Sequence, residues 1–154
     1  MKQKLLMLLV VFAAGTFTVK AQTDGPNDEI PLQLTTIVQL IGSPADSVTV
    51  FLNDYHYTVL SAKPPRTIYK AELDKQVELM LKNDDNQRLS MVSAKMPDSY
   101  IPAIYQIINA LQLTAKDEAA SPGYKVFKSA EYTLQLNPAY KPGFLLFFIS
   151  KRTR

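Results

Sequence analysis

The sequence predicts an α+β domain in which tandem α-β-β-β units form one antiparallel sheet with helices packed on one face. Three observations predict it. Apolar residues recur at helical spacing in short segments, such as Val48, Phe51, Leu52 and Tyr55. Other segments alternate: Val77, Leu79 and Leu81 fall on one side of a strand, and Gln76, Glu78 and Lys82 on the other. The order of these segments then recurs after 55 or 56 residues.

The first 21 residues stand outside that domain. Lys2 and Lys4 give a basic start, residues 5–14 (LLMLLVVFAA) form an unbroken apolar run, and Val19 and Ala21 suit the −3 and −1 positions of a cleavage site. This is the layout of a secretory signal peptide, with cleavage expected between Ala21 and Gln22. About 10 apolar residues fall short of the roughly 20 that a spanning helix needs. No stable membrane span is therefore expected after cleavage, and the mature chain is expected in the periplasm or outside the cell. Residues 22–30 are polar and turn-rich, a flexible leader to a single domain over residues 31–154.

Pro31 opens an apolar-periodic segment, Leu34, Ile37, Leu40 and Ile41, which predicts a helix ending at Gly42 as its C-terminal cap. Ser43, Pro44 and Asp46 then supply an N-cap, a first-turn proline and an acid three residues after the cap, so a second helix is expected to about Asp54. Three strands are expected next, over residues 68–72, 76–82 and 89–94, the last two joined by the turn Asn83-Asp84-Asp85-Asn86. Ile101, Ile104, Tyr105, Ile108 and Leu111 predict a helix over residues 99–110, with Pro102 in its first turn, where the missing N–H costs nothing. Beyond a loop at residues 121–123, strands are expected over 124–128, 131–136 and 144–151.

The repeat divides the domain at about residues 43–95 and 99–151. A shift of 56 places Phe51-Leu52-Asn53 on Ile107-Ile108-Asn109, and puts residues 89–95 on residues 145–151. A shift of 55 aligns Val77, Leu79 and Leu81 with Tyr132, Leu134 and Leu136. This order of elements over residues 43–151 resembles the β-lactamase-inhibitor-protein-like fold and the related PepSY-like periplasmic modules. The resemblance implies tandem units sharing one antiparallel sheet with helices on one face. The inhibitors' cysteines are absent here, so it implies architecture and not inhibition.

Composition narrows the function further. Removal of Lys2, Lys4 and Lys20 takes the 17 basic residues to 14, equal to the 14 acidic ones, and leaves the mature chain with no net charge. Nucleic-acid binding needs a basic surplus that releases counterions, so no nucleic-acid partner is expected. The absence of cysteine excludes disulfides, a lipobox anchor, thiol catalysis and cysteine metal sites. The chain has no Ser-x-x-Lys, Gly-x-Ser-x-Gly, His-Glu-x-x-His or glycine-rich phosphate loop, and no cofactor is expected.

His56, the one histidine, follows a helix end, where a structural or solvent-facing role is expected over a triad or zinc site. Glu72, Asp74 and Glu78 include carboxylates that could pair for acid/base work, but turn and strand-surface positions account for them. Asp84 and Asp85 lack the spacing of a calcium loop, and turn chemistry explains them.

The unusual segment is residues 144–149 (FLLFFI), which is apolar on both faces. The repeat matches Leu145, Phe147 and Ile149 with Leu89, Met91 and Ser93 as the helix-facing set. Phe144, Leu146 and Phe148 then lie on the opposite face, where their counterparts in the first repeat include the small residues Ser90 and Val92. Either that face is covered by the first helix or the leader, or it is an aromatic patch that binds a partner. Taken together, the sequence reads as a non-catalytic exported binding module with a protein or peptide partner in the cell envelope, and Phe144, Leu146 and Phe148 as its candidate contact. A small envelope hydrolase and a purely structural envelope component are the alternatives.

Overall fold

Helices form where apolar residues return every three or four positions. The computed structural model describes residues 29–117 and 121–152, so the expected signal peptide and residues 22–28 of the expected leader lie outside the described residues. The first helix, α1 (Glu29–Gln39), begins two residues before Pro31, within the expected leader. The reason is Ile30, which is fully buried and shares one stripe with Leu34, Ile37 and Val38. Gly42, at φ 100°, turns the chain out of the helix, a conformation that glycine adopts at little cost.

The second helix, α2 (Ala45–Asp54), starts one residue later than the sequence suggests, and Ser43 does not cap it. Pro44 is extended instead and bridges to Arg88, while the Leu89 N–H donates to the Ser43 carbonyl at 2.9 Å. Pairing with the start of a strand thus holds Ser43, and the Val48 N–H finds the Pro44 carbonyl. The third helix, α3 (Ile101–Ala110), follows a 3₁₀ turn at Asp98–Tyr100 and buries Ile104, Ile107 and Ile108.

The strands are β1 (Tyr57–Lys63), β2 (Arg66–Ala71), β3 (Glu78–Asn83), β4 (Leu89–Pro97), β5 (Thr114–Lys116), β6 (Lys125–Lys128), β7 (Tyr132–Lys141) and β8 (Phe144–Lys151). They form one antiparallel sheet in the order β1-β2-β3-β4-β8-β7-β6-β5. Each half thus contributes a helix and four strands, where the sequence suggests three. The two strands beyond expectation, β1 and β5, are the sheet edges. Both are exposed along most of their length, so burial imposes no alternation on them, and β1 carries a further irregularity between Val59 and Ser61.

The two halves carry the same ladder geometry. Glu78 opposes Lys95 and, 55 residues on, Thr133 opposes Ser150. The helices α2 and α3 end alike, 56 residues apart, in His56 at φ 58° and Gln112 at φ 51°. This geometry corrects the phase of β4. Leu81 opposes Val92, so Val92, Ala94 and Met96 face the helices, while Met91 and Ser93 face away. A uniform displacement of 55 therefore pairs Met91 with Leu146 and Ser93 with Phe148, one residue from the expected match.

A single core lies between the helices and one sheet face. It joins Leu34, Ile37, Leu52, Ile104 and Ile107 to Val77, Leu79, Leu81, Leu134, Leu136 and Phe147. Tyr132, which the repeat aligns with the buried Val77, is only partly buried and packs at the margin.

Candidate functional site

β8 divides its side chains by face. Leu145, Phe147 and Ile149 are fully buried in the core, as the alternation of a strand requires. Phe144, Leu146 and Phe148 are half-buried and point to the other side of the sheet, away from the core. The large buried apolar residues of all three helices belong to the core on the opposite face. Among the described residues, then, the face that carries Phe148 has no helix over it.

Cross-strand register shows what surrounds these three residues. Phe148 stands between Ser93 of β4 and Gln135 of β7, and Leu146 between Lys95 and Asn137. The row through Phe148 runs Ile68, Met80, Ser93, Phe148, Gln135, Val126 across six strands. Ile68, Met80 and the neighbouring Met91 are half-buried, so the apolar surface extends well beyond β8. The Tyr124 ring lies 6.0 Å from that of Phe148, and the Lys95 ammonium sits 5.7 Å from the Phe144 ring centre. The same ammonium is 3.1 Å from a Glu78 carboxylate oxygen. Met91, Thr133, Gln135, Phe148 and Ser150 line a shallow depression of ≈ 260 Å³. Together these groups make a broad, mostly apolar surface with hydroxyl and amide groups along one margin. Such a surface can accept a partner's apolar side chains by exclusion of water, with few fixed polar contacts to orient them.

The remaining residues singled out by the sequence are held by local structure. His56 is exposed in the left-handed conformation; its N–H donates to the Asn53 carbonyl and its carbonyl accepts the Glu72 N–H. It ends a helix, as Gln112 does in the other half. Asp74 accepts hydrogen bonds from the Tyr100 hydroxyl and the Gln76 N–H, both at 2.9 Å, which ties the β2–β3 connection to the start of α3. Glu78 is engaged by Lys95, and Asp84 accepts the Asn86 and Arg88 N–H groups within its turn. Glu72 and Asp85 are exposed in the β2–β3 connection and the β3–β4 turn.

The structure adds residues that sequence reading missed. Met80 interrupts the polar side of β3, between Glu78 and Lys82, and that interruption was the available signal for an apolar strip. Tyr57 is a second case: its hydroxyl is buried and has no hydrogen-bond partner, and burial, followed by the nearby Tyr100, pushes its pKa well above the ordinary tyrosine value. An open cleft of ≈ 780 Å³ lies at the β5–β6 edge, bordered by Gln112, Lys116, Lys128, Glu131 and Arg152. Comparisons with protein-family models, with curated proteins and with solved structures find no match.

Proposed function

We propose that this chain is a non-catalytic binding module, exported to the periplasm or beyond, that takes up a protein or peptide partner on its open sheet face. One observation carries the reading: Phe144, Leu146 and Phe148 form a half-exposed apolar surface on a face that the core does not use. The domain already obtains its burial from the opposite face. Apolar side chains left half in water contribute little to folding and invite association, so their retention is best explained by contact with another molecule. Centred on Phe148, the surface combines a large rigid ring with the flexible side chains Met80 and Met91, a pairing suited to irregular partner surfaces.

The test uses the mature protein as bait in an envelope extract, beside Phe148→Ser. The variant is expected to keep its fold, with a stability loss of about 1–2 kcal/mol, and to lose the captured partner. Retention of the partner by a folded Phe148→Ser protein would overturn the assignment.

A further inference from the structure

Charge is distributed unevenly over the two sides of the sheet. On the open face, β1–β4 place Lys63, Arg66, Lys70, Lys82 and Lys95, against one acid in those strands, Glu78, which Lys95 already engages. The acids of the same half lie elsewhere: Asp46 and Asp54 on α2, Glu72 and Asp74 between β2 and β3, Asp84 and Asp85 between β3 and β4. A chain with no net charge after cleavage therefore has a basic open face.

Three of these cations share one cross-strand row. Lys63 opposes Arg66, and Arg66 opposes Lys82. Among the described residues, no carboxylate lies within ion-pair distance of any of the three. Like charges placed directly opposite one another destabilise a ladder, so this row is a standing cost that the fold does not need. The next row along the same strands is the apolar one, Ile68, Met80 and, beyond Ser93, Phe148.

We infer that the partner on this face is an acidic polypeptide, whose carboxylates meet Lys63, Arg66 and Lys82 while its apolar side chains seat on Ile68, Met80 and Phe148. The inference rests on the open-face reading above and names the chemistry of its partner. Two features select a polypeptide among anions. A polyphosphate or sulfated glycan supplies charge but nothing for the apolar row. An anionic bilayer supplies both, yet it is flat. Twist of about 20–25° per strand accumulates to roughly 80–100° over the four steps from β1 to β8, and a plane cannot follow a row with that turn. A polypeptide can follow it, with charge complementarity setting its approach and orientation.

The experiment measures fluorescence anisotropy of a labelled short peptide in which glutamates flank phenylalanine and leucine, titrated with the mature protein. Comparison probes are the same peptide with glutamine for glutamate, polyphosphate, and vesicles of equal phosphatidylcholine and phosphatidylglycerol. The acidic peptide is expected to bind, and to weaken about tenfold or more in Arg66→Glu/Lys82→Glu and again in Phe148→Ser. Arg66→Glu alone is also expected to melt no lower than the parent, because it places an acid between Lys63 and Lys82. Equal binding of the glutamine peptide, still lost in Phe148→Ser, would overturn the acidic partner and leave the open-face reading standing. Binding of polyphosphate or vesicles that depends on Arg66 and Lys82 but not on Phe148 would overturn the polypeptide. Acidic-peptide binding insensitive to both variants would overturn this face as the site.

Discussion

Phe147 and Phe148 are chain neighbours on one strand, and the two faces of the sheet give them opposite weights. Phe147 is fully buried in the core between α-helices and sheet. Replacement by alanine removes its transfer energy and leaves a cavity, at a cost of about 3–5 kcal/mol. For a domain of this size each kcal/mol is worth about 3–5 °C, so Phe147→Ala is expected to melt about 10–20 °C below the parent. Phe148 is half-buried on the other face, where its closest ring contact is Tyr124 at 6.0 Å. Loss of that contact costs about 0.5–1.5 kcal/mol, and partial burial brings the total for Phe148→Ala to about 1–2 kcal/mol. Urea denaturation followed by far-UV circular dichroism gives both values from one protocol, with the slope reporting whether the denatured state has changed. The gap between the variants is the quantity of interest, and it is expected to be about 2 kcal/mol. If Phe148→Ala is as damaging as Phe147→Ala, the strand is buried on both sides and the open face does not exist as a surface.

Other expectations follow from the same geometry. Leu79 and Leu134 are fully buried at equivalent places in the two halves, so Leu79→Ala and Leu134→Ala should each cost about 2–5 kcal/mol in urea titrations; a silent result at either would place its strand in another register. The buried Tyr57 hydroxyl has no partner, so Tyr57→Phe should be neutral or slightly stabilising at pH 7, within about 1 kcal/mol, by thermal melting. Because burial raises the Tyr57 pKa in the folded state, the unfolded chain ionises first. Stability is then intact below pH about 10 and falls above it, a fall that Tyr57→Phe should reduce in melts across the alkaline range. Intact-mass measurement of exported protein should give a chain beginning at Gln22, and a mass retaining residues 1–21 would refute the signal-peptide reading.

Much of the architecture was legible because burial imposes a period on sequence. β3 and α3 are read correctly since each has one face in the core and one in water, and Leu79 or Ile104 can occupy only one of them. β1 was illegible for the converse reason: as an edge strand it exposes Val59 and Leu60 at 51% and 53%, and no alternation survives. β4 failed in phase alone. Its sequence, Leu89 to Met96, alternates weakly in either register, and the choice between Met91 and Val92 is made by the ladder to Leu81, a contact the sequence does not show. At the candidate site, the outward set Phe144, Leu146 and Phe148 was readable because a strand apolar on both faces must present one set away from the core. The rest was not, since Ile68, Met80 and Phe148 come together only through the cross-strand register of four strands.

The strand order has a temporal consequence. Six of the seven ladders join strands that follow one another in the chain, and each can form as a local meander. The seventh, β4 with β8, spans the greatest separation: Val92 meets Ile149. Until the last strand arrives, β4 is a sheet edge with unpaired backbone groups beside a helix-facing apolar row, and the first half has no way to protect it. Closing this seam is the step of highest loop-closure cost and the one that should govern the folding rate. The C-terminal residues Phe144–Lys151 thus act as a latch. A chain shortened before Phe144 would lose the strand that seals both halves, and would leave β4 and β7 as two new edges open to other chains.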